Sequence, residues 1–158
     1  MKPTLYMETS IVSYLTARPS RDLIALAHQE ITRKWWSDAL PKFQVFISEV
    51  VIDEAKRGDI EAARKRLKAL EDFAGLPILQ EVEDLAEVYM KEFNLPPDAS
   101  RDALHIAVAS VHAIDYLLTW NCSHIANGVV RKRIREINTR EGFSIPIICT
   151  PEELKDEI

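Results

Sequence analysis

Five short apolar runs, at residues 4–7, 43–47, 76–79, 115–118 and 145–149, are separated by longer stretches whose apolar residues recur at helical spacing. A strand followed by helices and then another strand favours a parallel sheet with helices packed on both faces. The expected fold class is therefore α/β: a three-layer α/β/α sandwich with a central parallel sheet. The 158 residues hold four glycines, no fixed-period repeat and no Ser/Gly-rich linker, so a single domain over 1–158 is expected.

Helix starts are legible at several points. Ser48 can cap a helix beginning EVVIDEAK, and Asp98 or Ser100 can cap one beginning RDALHIAVAS. In TPEEL, Thr150, Pro151 and Glu153 form a capping-box pattern that predicts a short terminal helix. The helix over about 100–113 has apolar residues around nearly its whole circumference, so it should be buried on most sides. Leu23, Leu26, Ala27, Ile31, Trp35 and Trp36 form a further apolar stripe, expected to pack in the core, with part of it free for a dimer or partner surface.

Several function classes are disfavoured. A formal charge of -5 opposes non-specific adhesion to nucleic acid, which needs basic surface to displace counterions, although Arg131, Lys132, Arg133 and Arg135 make a local basic patch. No apolar run approaches the roughly 20 residues of a bilayer span, and MKPTLYME lacks a signal-peptide layout, so a cytoplasmic protein without membrane contact is expected. Cys122 and Cys149 form no CxxC or Cys/His pattern and read as reduced, passive thiols.

The chemistry lies in carboxylates that are out of place. In open parallel sheets the functional crevice lies beyond the carboxyl ends of the strands, and Glu8 follows the first apolar run directly. It reads either as a helix-start acid favoured by the dipole or as a site residue; Thr9 and Ser10 behind it can cap the helix. On the helix after the second strand, Glu49, Asp53, Lys56 and Arg57 share a polar face, while Glu54 falls between Val50 and Val51 on the apolar border. A carboxylate there needs a partner cation, a proton or a metal. Asp102 lies on the side of Ile106, Ala109 and Ala113, facing inward, and His105 one turn on can brace it or serve as a core residue. In DYLLTWNCSHIAN, Asp115 stands at the wrong end of the strand and Thr119 and Asn121 at the right one. Three gathered carboxylates repel one another unless a cation joins them, and oxygen ligands without a cysteine pair suit Mg²⁺ or Mn²⁺. Such an ion supports phosphoester hydrolysis.

The succession METSIVSYL, ISEVVIDEAKRG, DASRDALHIAVAS, DYLLTWNCSHIAN and IPIICTPEEL resembles a PIN-domain protein of the kind found as the toxin half of VapBC-type toxin–antitoxin pairs. The likeness spans almost the whole chain, and the ordered set carries it. It implies a metal-dependent endoribonuclease in which Glu8, Glu54 and Asp102 are catalytic acids and hold the metal, with Asn121 and Thr119 completing the catalytic set. It also implies an RNA substrate, a small antitoxin partner and a homodimer. Glu8 stands where most members carry Asp, and Asn121 is neutral at the frequent fourth acid, so the site has at most three negative charges. The alternative is a catalytically impaired PIN-like module that binds RNA or protein.

Overall fold

The structure, a computed structural model, describes residues 1–155. Strand β1 (Thr4–Met7) leads into helices α1 (Thr9–Thr16) and α2 (Leu23–Asp38), then strand β2 (Gln44–Ser48) with α3 (Glu49–Ala55) and α4 (Ile60–Leu70). Strand β3 (Ala74–Leu76), α5 (Gln80–Glu92), α6 (Ser100–Val111), β4 (Tyr116–Leu118), α7 (Gly128–Glu141) and β5 (Ile147–Cys149) follow. All strand pairs are parallel and the order is β3-β2-β1-β4-β5, with helices flanking the sheet as in a three-layer α/β/α sandwich. Among the described residues, no helix is long and apolar enough to cross a membrane.

The central strand explains the arrangement. Leu5, Tyr6 and Met7 are all fully buried, as expected of a strand covered on both faces. Each fully buried large side chain of this kind contributes about 1.5–3 kcal/mol of transfer free energy. Because β2 lies on one side of β1 and β4 on the other, the strand order reverses beside β1, and in sheets of this kind the crevice lies there, outside the carboxyl ends. At the opposite edge Asp115 accepts from the Thr4 amide at 2.9 Å and from its hydroxyl at 3.1 Å, stitching β4 to β1 away from the crevice. That placement is the one its position before the strand predicts.

Other expectations need correction. The run 76–79 gives way to strand β3 at Ala74–Leu76, where the backbone pairs with β2 before Pro77 ends the ladder. TPEEL forms turns rather than a helix, although half of the capping box is present: Glu153 accepts from the Thr150 amide at 3.0 Å. The same carboxylate is drawn aside by its pair with Arg131 across the chain. Ser48 occupies the N-cap of α3 but makes no cap bond, and Ala99 rather than Asp98 or Ser100 precedes α6.

The expected α2 stripe packs in the core only in part. Trp35 is buried and Ile31 and Trp36 lie against the core, whereas Leu23 is 79% exposed and Gln29 and Thr32 take buried positions instead. Polar residues tolerate that face because they are bonded there. Gln29 donates to the Arg18 carbonyl and accepts from the Ser20 amide, both at 2.9 Å, and the Thr32 hydroxyl accepts from the Trp120 indole at 2.7 Å.

Candidate metal centre

Glu8 lies at the crevice because its backbone continues the β1 ladder by one residue: its amide donates to the Leu118 carbonyl at 3.0 Å. Its extended φ and ψ place it at the N-cap of α1, and its side chain is 5% exposed. The two following hydroxyls do not cap the helix. Ser10 donates a short hydrogen bond to Glu8 Oε1, and Thr9 reaches across to Glu54 Oε1 at 2.7 Å. Ser10 is itself held by the Trp120 amide at 2.8 Å, so the far side of the crevice fixes the same hydroxyl.

Glu54 comes from α3, on the border between its buried and solvated faces. Glu49, Asp53, Lys56 and Arg57 are exposed, while Val50, Val51 and Ala55 are buried. The cation that such a position demands is supplied by α6. His105, fully buried, bonds Glu54 Oε1 through Nε2 at 2.6 Å. Its bracing role therefore falls on Glu54, and its other nitrogen, Nδ1, bonds the Tyr6 hydroxyl at 2.7 Å rather than Asp102. Tyr6 in turn meets the Ser48 hydroxyl at 2.7 Å, which is where the expected cap of α3 is used.

Protonation follows from this chain of contacts. An ionised carboxylate only accepts, so the proton between Glu54 and His105 resides on Nε2. Burial pushes the Glu54 carboxyl up, but the His105 bond and charge, the Thr9 hydroxyl and nearby Arg101 outweigh it and hold the group below its ordinary value. Burial likewise opposes the charge on His105, yet the Glu54 bond and the charges of Glu8, Glu54 and Asp102 raise the imidazole above its ordinary value. Burial, chiefly, holds the Tyr6 phenol far above the range in which it ionises.

A carboxylate oxygen each from Glu8 and Glu54 and a ring nitrogen of His105 lie within 4.8 Å of one another. The donor chemistry fits a hard divalent cation. Each glutamate uses Oε1 for its protein partners, Ser10 and Thr119 on Glu8 and Thr9 and His105 on Glu54, and neither Oε2 bonds any described residue. Two carboxylates fixed by one oxygen each, with the second oxygen free, are what Mg²⁺ or Mn²⁺ uses. His105 is a ligand only if it surrenders the Nε2 proton; with that proton in place it braces Glu54 instead.

Asp102 lies in the first turn of α6 as expected, but outside that group of three. Asn121 donates to its Oδ1 at 3.0 Å, and His124 Nδ1 bonds its Oδ2 at 2.8 Å. Thr119 and Asn121 both reach the crevice, where each grips an acid. Thr119 donates to Glu8 Oε1 at 2.6 Å and accepts from the Asn121 amide at 2.9 Å. Asn121 Oδ1 accepts from the His124 amide at 3.0 Å, folding the turn that carries the imidazole back to Asp102. His124 is the residue that sequence reasoning passed over. Its signal is the spacing NCSH, in which an asparagine side chain bonds the amide three residues on.

The structure thus brings Glu8 and Glu54 together and places Thr119 on Glu8. Asp102 and Asn121 form an adjoining pair with His124. Compared with known proteins, the chain matches no family model and no curated sequence.

Proposed function

We propose that the chain is a cytoplasmic Mg²⁺- or Mn²⁺-dependent endoribonuclease that hydrolyses RNA phosphodiester bonds in the crevice between β1 and β4. The observation that supports this most is the pair of glutamates at the carboxyl edge: one oxygen of each and a ring nitrogen of His105 lie within 4.8 Å of one another, and neither Oε2 bonds a described residue. Glu8 and Glu54 hold the ion. Bound there, it lowers the pKa of an attacking water and offsets charge developing on the phosphate.

The remaining side chains keep those oxygens in place. Ser10 and Thr119 fix the Glu8 carboxylate from both sides of the crevice, and Thr9 and His105 fix Glu54. Tyr6 stays protonated and orients the His105 ring from behind. Asp102 adds negative charge one helical turn before His105, while Asn121 and His124 fix both of its oxygens and set the polar wall against which water or a phosphate oxygen is oriented.

A role as the toxin of a toxin–antitoxin pair, with a small antitoxin and a homodimeric assembly, is carried by the resemblance in sequence alone. A second reading, a non-catalytic module that binds RNA or protein, is favoured by one observation: both Asp102 oxygens are already bonded within the chain. Incubating single-stranded RNA with the protein and Mg²⁺ or Mn²⁺ separates them. The nuclease cleaves, and Glu54→Gln or Asp102→Asn abolishes cleavage; RNA binding without cleavage at any metal concentration supports the module.

A further inference from the structure

Beside Glu8, along the exposed flank of α1, lies an open cavity of about 590 Å³ lined by Ser10, Ser13, Tyr14, Arg18 and Gln29 among others. One end is the acidic crevice and the other is basic. The Arg18 side chain is exposed and pairs with no described acid, and neither the Tyr14 hydroxyl nor the Ser13 hydroxyl bonds a described residue. Tyr14 is part-buried, its ring set edge-on to His28 at 5.5 Å and to Trp120 at 6.3 Å. The loop that presents Arg18 is pinned by buried Gln29, which bonds the Arg18 carbonyl and the Ser20 amide.

We propose that this cavity is a nucleotide subsite that seats the segment of single-stranded RNA next to the scissile phosphate, with Arg18 on a backbone phosphate and Tyr14 against a base. The inference rests on RNA being the substrate of the adjoining centre. Its physical basis is complementarity. α1 carries the chain about 9 Å from Ser10 to its last residue, Thr16, and Arg18 follows two residues beyond that end, so its charge meets a phosphate displaced from the one at the glutamates rather than that same one. A guanidinium without a protein acid suits a phosphate, and the Tyr14 ring in the lining of the same cavity supplies an aromatic surface, a kind of contact tolerant of any base.

The test measures binding of a short labelled single-stranded oligoribonucleotide by fluorescence anisotropy, in chelator so that nothing is cleaved, over a range of salt. Arg18→Ala is expected to weaken binding and to flatten the dependence of log K on log salt by about 0.7, while Arg18→Lys keeps the slope. Tyr14→Ala weakens binding about tenfold and Tyr14→Phe does not, with thermal melts confirming that each variant is folded. In cleavage assays the Arg18→Ala loss falls on KM rather than kcat. Absence of binding by the wild-type protein, or an unchanged affinity and salt slope in Arg18→Ala, overturns the subsite, including the case in which a protein partner fills the cavity. Binding that depends on Arg18 without cleavage leaves the subsite standing and removes the nuclease; cleavage indifferent to Arg18 and Tyr14 does the reverse.

Discussion

Helix α6 carries two buried polar networks, one in each half, and they differ in kind. In its first half His105 joins Tyr6, Ser48 and Glu54 beside Glu8, a network with carboxylates whose second oxygens bond nothing in the described protein. Near its end Ser110 meets Asn138 at 2.9 Å, Asn138 bonds Tyr89 at 2.5 Å and the Ser144 carbonyl at 2.8 Å, and every member is neutral. Burial pushes the Tyr89 phenol up to about 12 even against the bonds to Ser110 and Asn138. The second network is complete without a ligand, so it holds α5, α6 and α7 in register. The first has acceptor capacity left over, beside two acids whose charges oppose one another, and that surplus is what the proposed cation would use.

The contrast is sharpened most strongly by exchanging charge at the incomplete end. Glu8→Gln and Glu54→Gln preserve shape and remove the ligand charge, so RNA cleavage should fall by more than about a hundredfold, given that even the partners of metal ligands are typically worth 10–100-fold. Thermal shift with and without Mn²⁺ should show the accompanying loss of metal-induced stabilisation. At the complete end, Asn138→Ala strips partners from Tyr89 and Ser110 in a site with no access to water, and urea unfolding should report about 2 kcal/mol of lost stability. The Mn²⁺ midpoint should not move. A metal response altered by Asn138→Ala and spared by Glu54→Gln would break the distinction.

Smaller effects refine it. Ala113, just past the end of α6, adopts a left-handed φ of 54°, with its amide bonded to the Ser110 carbonyl. Ala113→Gly relieves that conformation and should raise the melting free energy by about 1 kcal/mol without touching cleavage. The charged end should also show in the pH dependence of the metal-free protein. Glu54, lowered from an ordinary 4.5, contributes stability above that value and loses it as pH falls through its lowered one. His105, raised from 6.5, contributes below that value and loses it as pH rises through its raised one. Urea midpoints in chelator should therefore form a shallow plateau between those two ordinary values, shallow because burial opposes both charges, and Glu54→Gln should flatten it.

The sheet and most helices were legible because their cues are local: apolar runs, periodicity and the polar face of Glu49, Asp53, Lys56 and Arg57. Glu54 stood out for the same reason, as a charge on the wrong side of its own helix. What escaped depends on partners distant in sequence. The burial of Gln29 and Thr32 on α2, beside the expected Trp35, follows from their bonds to Arg18, Ser20 and Trp120, which no helical wheel displays. Likewise Asp102 could be read as inward, but not as already held by Asn121 and His124. Strand β3 was displaced because an edge strand is defined by its ladder with β2, and Ala74 and Gly75 carry no side-chain signature of a strand.

Crystals soaked in Mn²⁺ and measured at a wavelength where manganese scatters anomalously test the centre most directly. One anomalous peak is expected in the crevice, about 2.1 Å from Oε2 of both Glu8 and Glu54, with Ser10, Thr119 and Thr9 still on the Oε1 atoms. A crevice with no anomalous peak, or an ion bound only by residues elsewhere, would contradict it.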